Sequence, residues 1–211
     1  MGLKLRYNLF YSTSEAVYDA FASFYGRRGS KLQAVGNVGS SLTYHREINF
    51  HREHNGWAVV NLDGGWEWKV RREAQLFVSQ SLCCAGFLIF VYDGDYWGYE
   101  FFDRGEAMDH FVQDTSGEPI GFPGEDCRGN PSVIAEHLPF LRAEDVAPYL
   151  VQKPDWPIPE SMNVPVRPGD EFSRFDECAV LDFVRMLGVP VELAFNVVRL
   201  KAPLFRSVVL E

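Results

Sequence analysis

Gly86-Phe87-Leu88-Ile89-Phe90-Val91-Tyr92-Asp93-Gly94-Asp95-Tyr96-Trp97-Gly98-Tyr99-Glu100-Phe101-Phe102-Asp103-Arg104-Gly105-Glu106-Ala107-Met108-Asp109-His110-Phe111-Val112-Gln113 is the stretch whose reading decides the fold. Phe87–Tyr92 is continuously apolar and β-favouring, the composition of a central strand. Asp93-Gly94-Asp95 is a turn, and Tyr96–Phe102 returns with Trp97, Tyr99 and Phe101 on one face. Asp103-Arg104-Gly105 turns the chain again into Ala107–Gln113, where Ala107, Asp109 and Phe111 alternate with Met108, His110 and Val112. Two turn signals one strand length apart predict an antiparallel meander.

Working outward, Trp66, Val70, Ala74, Leu76 and Phe77 recur at helical intervals through to Leu82. The helix they predict has Asp63 as its cap and carries Lys69, Arg71, Arg72 and Glu73 outward. Before it, Leu42–Glu53 and Trp57–Leu62 are strand candidates joined through His54-Asn55-Gly56, where Asn-Gly is a strong hairpin signal. At the start, Leu3, Leu5, Tyr7 and Leu9 alternate with Lys4, Arg6 and Asn8, a strand pattern unlike the unbroken apolar run of a signal peptide. Arg6 stands where a myristoylation signal needs Ser or Thr. Ser12-Thr13-Ser14-Glu15 has capping-box spacing ahead of Val17, Phe21, Phe24 and Tyr25, and Gly26 is placed to end that helix. Residues 27–41 read as a loop holding a short Leu32–Val35 strand.

Beyond the meander, 114–131 is loop, and short helices are predicted over Pro131–Leu138 and Ala143–Leu150. Five prolines between Lys153 and Gly169 predict an extended connector. Ser173-Arg174-Phe175-Asp176 resembles a capping box before a helix to Leu187, stopped by Gly188 and Pro190. Phe195–Leu200 and Ser207–Leu210 are β-favouring and return to the main sheet. The fold class read from this pattern is α+β: an antiparallel sheet with a central meander and helices packed mainly on one face. The expected organisation is a main domain over 1–152, a connector over 153–170, and a C-terminal helix and strand over 171–211 that pack back to make one domain overall.

With 46% hydrophobic and 15% aromatic residues in 211, the chain has ample core material. The longest apolar run, Ala85–Tyr92, falls far short of the ~20 residues that span a bilayer, so a soluble cytoplasmic protein is expected, with no membrane partner. Asp and Glu outnumber Lys and Arg by 29 to 20, a net charge of −9. Nucleic-acid binding depends on cationic surface, so no nucleic-acid partner is expected, and an acidic surface favours a basic protein instead. Cys83, Cys84, Cys127 and Cys178 form no C-x-x-C pair and read as free, buried thiols.

Each cluster with chemical potential has a plainer structural explanation. His45 and His51 lie about 20 Å apart on an extended strand at ~3.3 Å per residue, so they and His54 do not share a metal ion. Glu47, Asn49, His51 and Glu53 instead predict a solvated polar face opposite Ile48 and Phe50. Asp93, Asp95 and Asp103 sit where hairpin turns want them, without the graded ligand spacing of a calcium loop. Gly36–Ser40 lacks the Lys-Ser/Thr of a phosphate loop, and Cys127 has Asp126 opposing any activation by Arg128. The carboxylate pairs Glu125/Asp126, Glu144/Asp145, Asp170/Glu171 and Asp176/Glu177 read as solvated charges and helix starts. Trp57, Trp66, Trp68, Trp97 and Tyr99 are expected to form a core between the meander and the second helix. No catalytic, cofactor-binding or metal-ligating residue is assigned, and no cofactor is expected.

The segment Tyr92–Gly105 followed by Asp109-His110-Phe111 resembles a stretch in uncharacterised bacterial proteins, and in general style the chain is similar to immunity proteins of bacterial toxin systems. That resemblance covers about a quarter of the chain and implies a small, acidic, aromatic-rich cytoplasmic inhibitor; it carries no functional residues across. The leading expectation is a non-enzymatic interaction protein that meets a basic partner through Glu125, Asp126, Asp155, Glu160, Asp170 and Glu171, within acidic segments that run on to Glu177. The alternative is an enzyme or small-ligand binder with a pocket beside the meander at Trp97, Tyr99, Glu100 and His110.

Overall fold

A computed structural model describes residues 5–34, 47–62, 68–92, 96–114, 126–155, 157–190 and 204–210. The elements follow in the order β1 (Leu5–Tyr11), α1 (Ser14–Arg27), β2 (Leu32–Ala34), β3 (Glu47–His51), β4 (Trp57–Leu62), α2 (Trp68–Leu82), β5 (Ala85–Tyr92), β6 (Tyr96–Asp103), β7 (Glu106–Val112), α3 (Pro131–His137), α4 (Ala143–Val146), a 3-10 turn (Ala147–Tyr149), α5 (Ala179–Met186) and β8 (Leu204–Leu210). The fold is α+β. The strands form one antiparallel sheet in the order β2-β8-β3-β4-β1-β5-β6-β7. The meander β5-β6-β7 is present and makes up one flank of the sheet, with β7 at its edge.

Local chemistry accounts for the turns. Asn55 and Gly56 take φ of 49° and 82°, and Arg104 and Gly105 take 49° and 87°. Positive φ at both central residues is the hairpin geometry that Asn-Gly favours, and its twist matches the flanking strands. Gly86 is required by packing: a Cβ there would stand 2.2 Å from the Leu9 carbonyl oxygen and 2.7 Å from the Phe102 ring. In β7 the pairing skips a residue between Phe101↔Asp109 and Phe102↔Ala107. That bulge breaks the expected alternation, so Met108 packs on the same side as Asp109.

The two faces of the sheet are covered by different helices. The long helices α1 and α2 share one face and enclose Phe10, Val17, Phe21, Phe50, Val60, Val78, Leu88 and Phe102. On the other face α3, α4 and α5 bury Leu9, Trp57, Phe87, Trp97, Tyr99, Phe101 and Phe111. The aromatic core therefore lies opposite α2: Trp57, Trp97 and Tyr99 pack against the α5 layer, and Trp68 of α2 meets Phe90 on the other side. Trp66 lies outside the described residues. Phe183 on α5 organises this core, stacked on Tyr99 at 5.6 Å and 4° and touching Phe87, Trp97 and Tyr149.

Several local expectations change. The cap of α1 is Thr13, whose hydroxyl accepts from Ala16 N, rather than Ser12. Ser14 and Glu15 belong to the helix, and the Ser14 hydroxyl donates to the His51 carbonyl at 2.6 Å. Arg71 and Arg72 turn inward rather than outward, because the carbonyl of Leu62 and the carboxylate of Glu100 are within reach. Helix α5 starts at Ala179, after a bent 173–178 segment, and not at the Ser173 box. Of the polar face expected on β3, Asn49 and His51 are buried, 5% and 3% exposed, with His51 Nε2 3.2 Å from Asn61 Nδ2, while Glu53 is exposed. The expected strand over 195–200, the turn at Asp93-Gly94-Asp95, the Gly36–Ser40 loop and His45 all lie outside the described residues.

The proline-rich stretch is tied down near its two ends. Lys153 N donates to the Gln113 carbonyl, and Gln113 Nε2 donates to the carbonyl of Arg174. Arg174 N donates in turn to Val164 O, and Pro165 bridges Ser173. β8 completes the sheet between β2 and β3. No described helix is long and apolar enough to cross a membrane.

Candidate functional site

The residues singled out by sequence fall in two regions of the structure. The first is the acidic segment over 151–178. Asp155, Glu160 and Glu171 are exposed on it, with Asp170, Asp176 and Glu177 half-buried. One interior attachment is a buried carboxylate: Asp182 of α5, 1% exposed, accepts from Glu171 N at 3.1 Å and Phe172 N at 2.9 Å and from Arg185 at 2.6 Å. Asp170 is a second anchor, accepting from the Tyr149 hydroxyl and from Arg167 N. Burial, with Asp170 next to it, pushes the Tyr149 phenol upward. Glu171 also pairs with Arg185 at 3.1 Å.

Asp126 is exposed and clasped by Arg128 through bonds of 2.6–3.1 Å, which hold its carboxyl below the usual range. Glu125 lies outside the described residues. The Asp176-Glu177-Cys178 run brings three potential ligand atoms within 4.8 Å. Asp176 Oδ1 already accepts from Cys178 N at 2.7 Å, and burial with these carboxylates raises the thiol to about 11, so the arrangement is a turn rather than a thiolate site. Cys84 and Cys127 are buried, whereas Cys83 is exposed; burial lifts Cys84 to about 12.

The second group straddles α2 and the meander. Glu100 and His110 are cross-strand partners, with His110 Nε2 3.3 Å from Glu100 Oε1, and Arg72 Nε donates to that oxygen at 2.7 Å. Glu100 is 1% exposed. Trp97 and Tyr99 belong to the opposite face of the same strand, filled by the aromatic core. Tyr99 donates to Asp109 at 2.7 Å, and Asn130 N donates to the same oxygen, which ties α3's entry to the sheet. Burial keeps the Tyr99 phenol well above its ordinary value and also raises the Asp109 carboxyl. The four residues of the expected pocket therefore divide into a Glu100–His110 pair and a Trp97–Tyr99 core pair on either side of β6.

Sequence reasoning missed two other buried polar side chains on this side of the sheet. Asn8 and Leu88 are register partners, as are Leu88 and Glu100, so Asn8 lies in the same cross-sheet row. Gln75 is one helical turn beyond Arg71 and Arg72 and is fully buried. Neither amide has a hydrogen-bond partner at either end among the described residues, and the same is true of Glu100 Oε2. A buried polar atom without a partner costs roughly 1–3 kcal/mol, which is large against a total stability of about 5–15 kcal/mol. The alternation of Asn8 with Tyr7 and Leu9 is visible in the sequence, but the identity of its covering helix is not.

A hollow of about 450 Å³ at the start of α1 is lined by Thr13, Glu15, Arg52 and Glu53. It is not an anion site, because Glu53 already accepts from Ser14 N at 3.1 Å. That bond holds the Glu53 carboxyl below its ordinary value.

No family model matches the chain. Comparison with curated proteins and with solved structures likewise finds no match.

Proposed function

We propose that the protein is a non-enzymatic interaction protein that binds a basic protein partner through the acidic 151–178 segment, in the manner of an immunity-type inhibitor. The observation that carries this reading is the exposure of Asp155, Glu160 and Glu171 along one stretch of chain whose backbone at Glu171 and Phe172 is anchored from inside by Asp182. A charged surface held in one conformation loses less entropy on binding than a flexible tail. The net charge of −9 adds long-range attraction for a cationic partner. Residues 151–178 contain six acidic and three basic side chains, so the segment shares the sign of the whole chain.

The test compares pull-downs from native lysate by the wild-type protein and by an Asp155→Lys/Glu160→Lys/Glu171→Lys variant, at low and at high salt. The expected result is a basic protein retained by the wild type at low salt and lost both in the variant and at high salt. A protein retained equally by both forms, or no partner at low salt, contradicts the proposal.

A second reading, an enzyme or small-ligand binder, is supported by the convergence of Glu100, His110 and Arg72. It keeps the acid–base pair and dispenses with Trp97 and Tyr99, which serve the core. A toxin gene beside this one favours the first reading, and a metabolic operon favours the second.

A further inference from the structure

We infer that the layer between α2 and the sheet is a binding site for small uncharged polar molecules, either bound water or an amide-type ligand, held by Asn8, Gln75 and Oε2 of Glu100. The placement follows from the helix. Arg71 reaches the end of β4 through the Leu62 carbonyl at 2.9 Å, and Arg72 reaches β6 through Glu100 at 2.7 Å. Gln75 follows one turn later, four residues after Arg71 and three after Arg72, so it descends between those two directions onto the strands that lie between β4 and β6. Those strands are β1 and β5, and the row that contains Glu100 there is Val60–Asn8–Leu88–Glu100–His110. At ~4.8 Å between strands, Asn8 and Glu100 are about 10 Å apart with Leu88 beneath.

The donor and acceptor inventory sets the ligand class. Two amides and one carboxylate oxygen, all on side chains no more than 1% exposed, have no hydrogen-bond partner among the described residues. Together they offer two NH2 groups and three acceptor oxygens, and the balance is the same whichever way each amide is turned. An anion is opposed by Glu100, a cation by Arg71 and Arg72, and an apolar molecule would leave both amides unsatisfied. A neutral molecule that both donates and accepts satisfies the set. The rim is at Arg72 and His110, whose side chains are 34% and 14% exposed. This extends the second reading from a Glu100–His110 pair to the polar groups beneath α2, and it stands independently of the acidic surface.

The test is side-chain amide NMR on the full-length wild-type protein, followed by titration with acetamide. The expected result is one of two: cross-relaxation of the Asn8 and Gln75 NH2 groups with long-lived water, which assigns the site to water, or a saturable shift of those signals with acetamide, which assigns it to an amide ligand. In an Asn8→Leu/Gln75→Leu variant, any saturable acetamide shift at the Arg72 and His110 rim should disappear. A wild-type protein with neither long-lived water nor a saturable shift overturns the inference, as does an acetamide response that persists in the variant. Loss of partner capture in the acidic-surface variant with these signals intact would separate the two sites.

Discussion

Removing the carboxylate of Asp182 should release the acidic segment while leaving the sheet folded. Asp182 is 1% exposed and accepts from two backbone amides of the segment, Glu171 N and Phe172 N, and from Arg185 at 2.6 Å. Hydrogen bonds to a buried charge contribute about 1.5–3 kcal/mol each, and breaking a buried pair from one side costs roughly 3–5 kcal/mol. Two features move Asp182→Ala toward the low end: the Arg185 side chain is 39% exposed, and Glu171 faces solvent, so both can be rehydrated. A loss of about 3 kcal/mol is expected, equal to a fall of roughly 6–12 °C in Tm for a chain of this size. The assay is thermal unfolding paired with hydrogen exchange of the wild type and variant. Exchange should accelerate at Glu171 and Phe172 in the variant, with the amides of β5 and β6 changing far less. A variant with wild-type Tm and unchanged exchange at those two amides would refute the anchoring role.

Three further outcomes are expected. Phe183→Ala should destabilise by about 3–5 kcal/mol in denaturant titration, because its ring packs on Phe87, Trp97, Tyr99 and Tyr149. Gly86→Ala should cost at least about 1–3 kcal/mol by overpacking, since the added methyl meets the Leu9 carbonyl at 2.2 Å; a Tm within a degree of wild type would contradict the strand packing. Burial lowers the His51 pKa below its ordinary 6.5. The unfolded chain therefore takes up the proton first on acidification, so this contribution is complete above about pH 7 and is lost progressively as pH falls below 6.5 toward the lowered folded-state value. The stability difference between wild type and His51→Gln should accordingly narrow between about pH 7 and pH 5, and a pH-independent difference would show that His51 titrates normally.

The parts of the fold that were legible in the sequence are those with local causes. Phe87–Tyr92, the Asp103-Arg104-Gly105 turn and the Asn55-Gly56 hairpin act through backbone preference and alternation, and each is where its composition places it. The errors arise where distant groups decide. Asn49 and His51 look solvent-facing on their strand, yet Asn61 and the surrounding layers bury them. Arg71 and Arg72 look like an exposed helix face, yet a carbonyl on β4 and a carboxylate on β6 draw them inward. The Ser173 box failed as a helix start because the backbone there is used to fold the acidic segment onto α5.

The candidate site was legible to the same degree. Glu100 and His110 were identifiable as polar residues on adjacent strands, and register alone brings them together. Trp97 and Tyr99 differ from them by strand parity, which puts the rings on the other side of β6. Asn8 and Gln75 carried no signal of their own, because a single amide in a strand or helix gives no indication that another will face it.

The most direct test of the account is the affinity of the captured partner for wild type and for the Asp155→Lys/Glu160→Lys/Glu171→Lys variant, measured across a range of salt. The account predicts wild-type binding that weakens steadily with salt, and a variant weakened by about tenfold or more at low salt, a difference of at least ~1.4 kcal/mol. Equal affinity of the two proteins, or binding indifferent to salt, would contradict it.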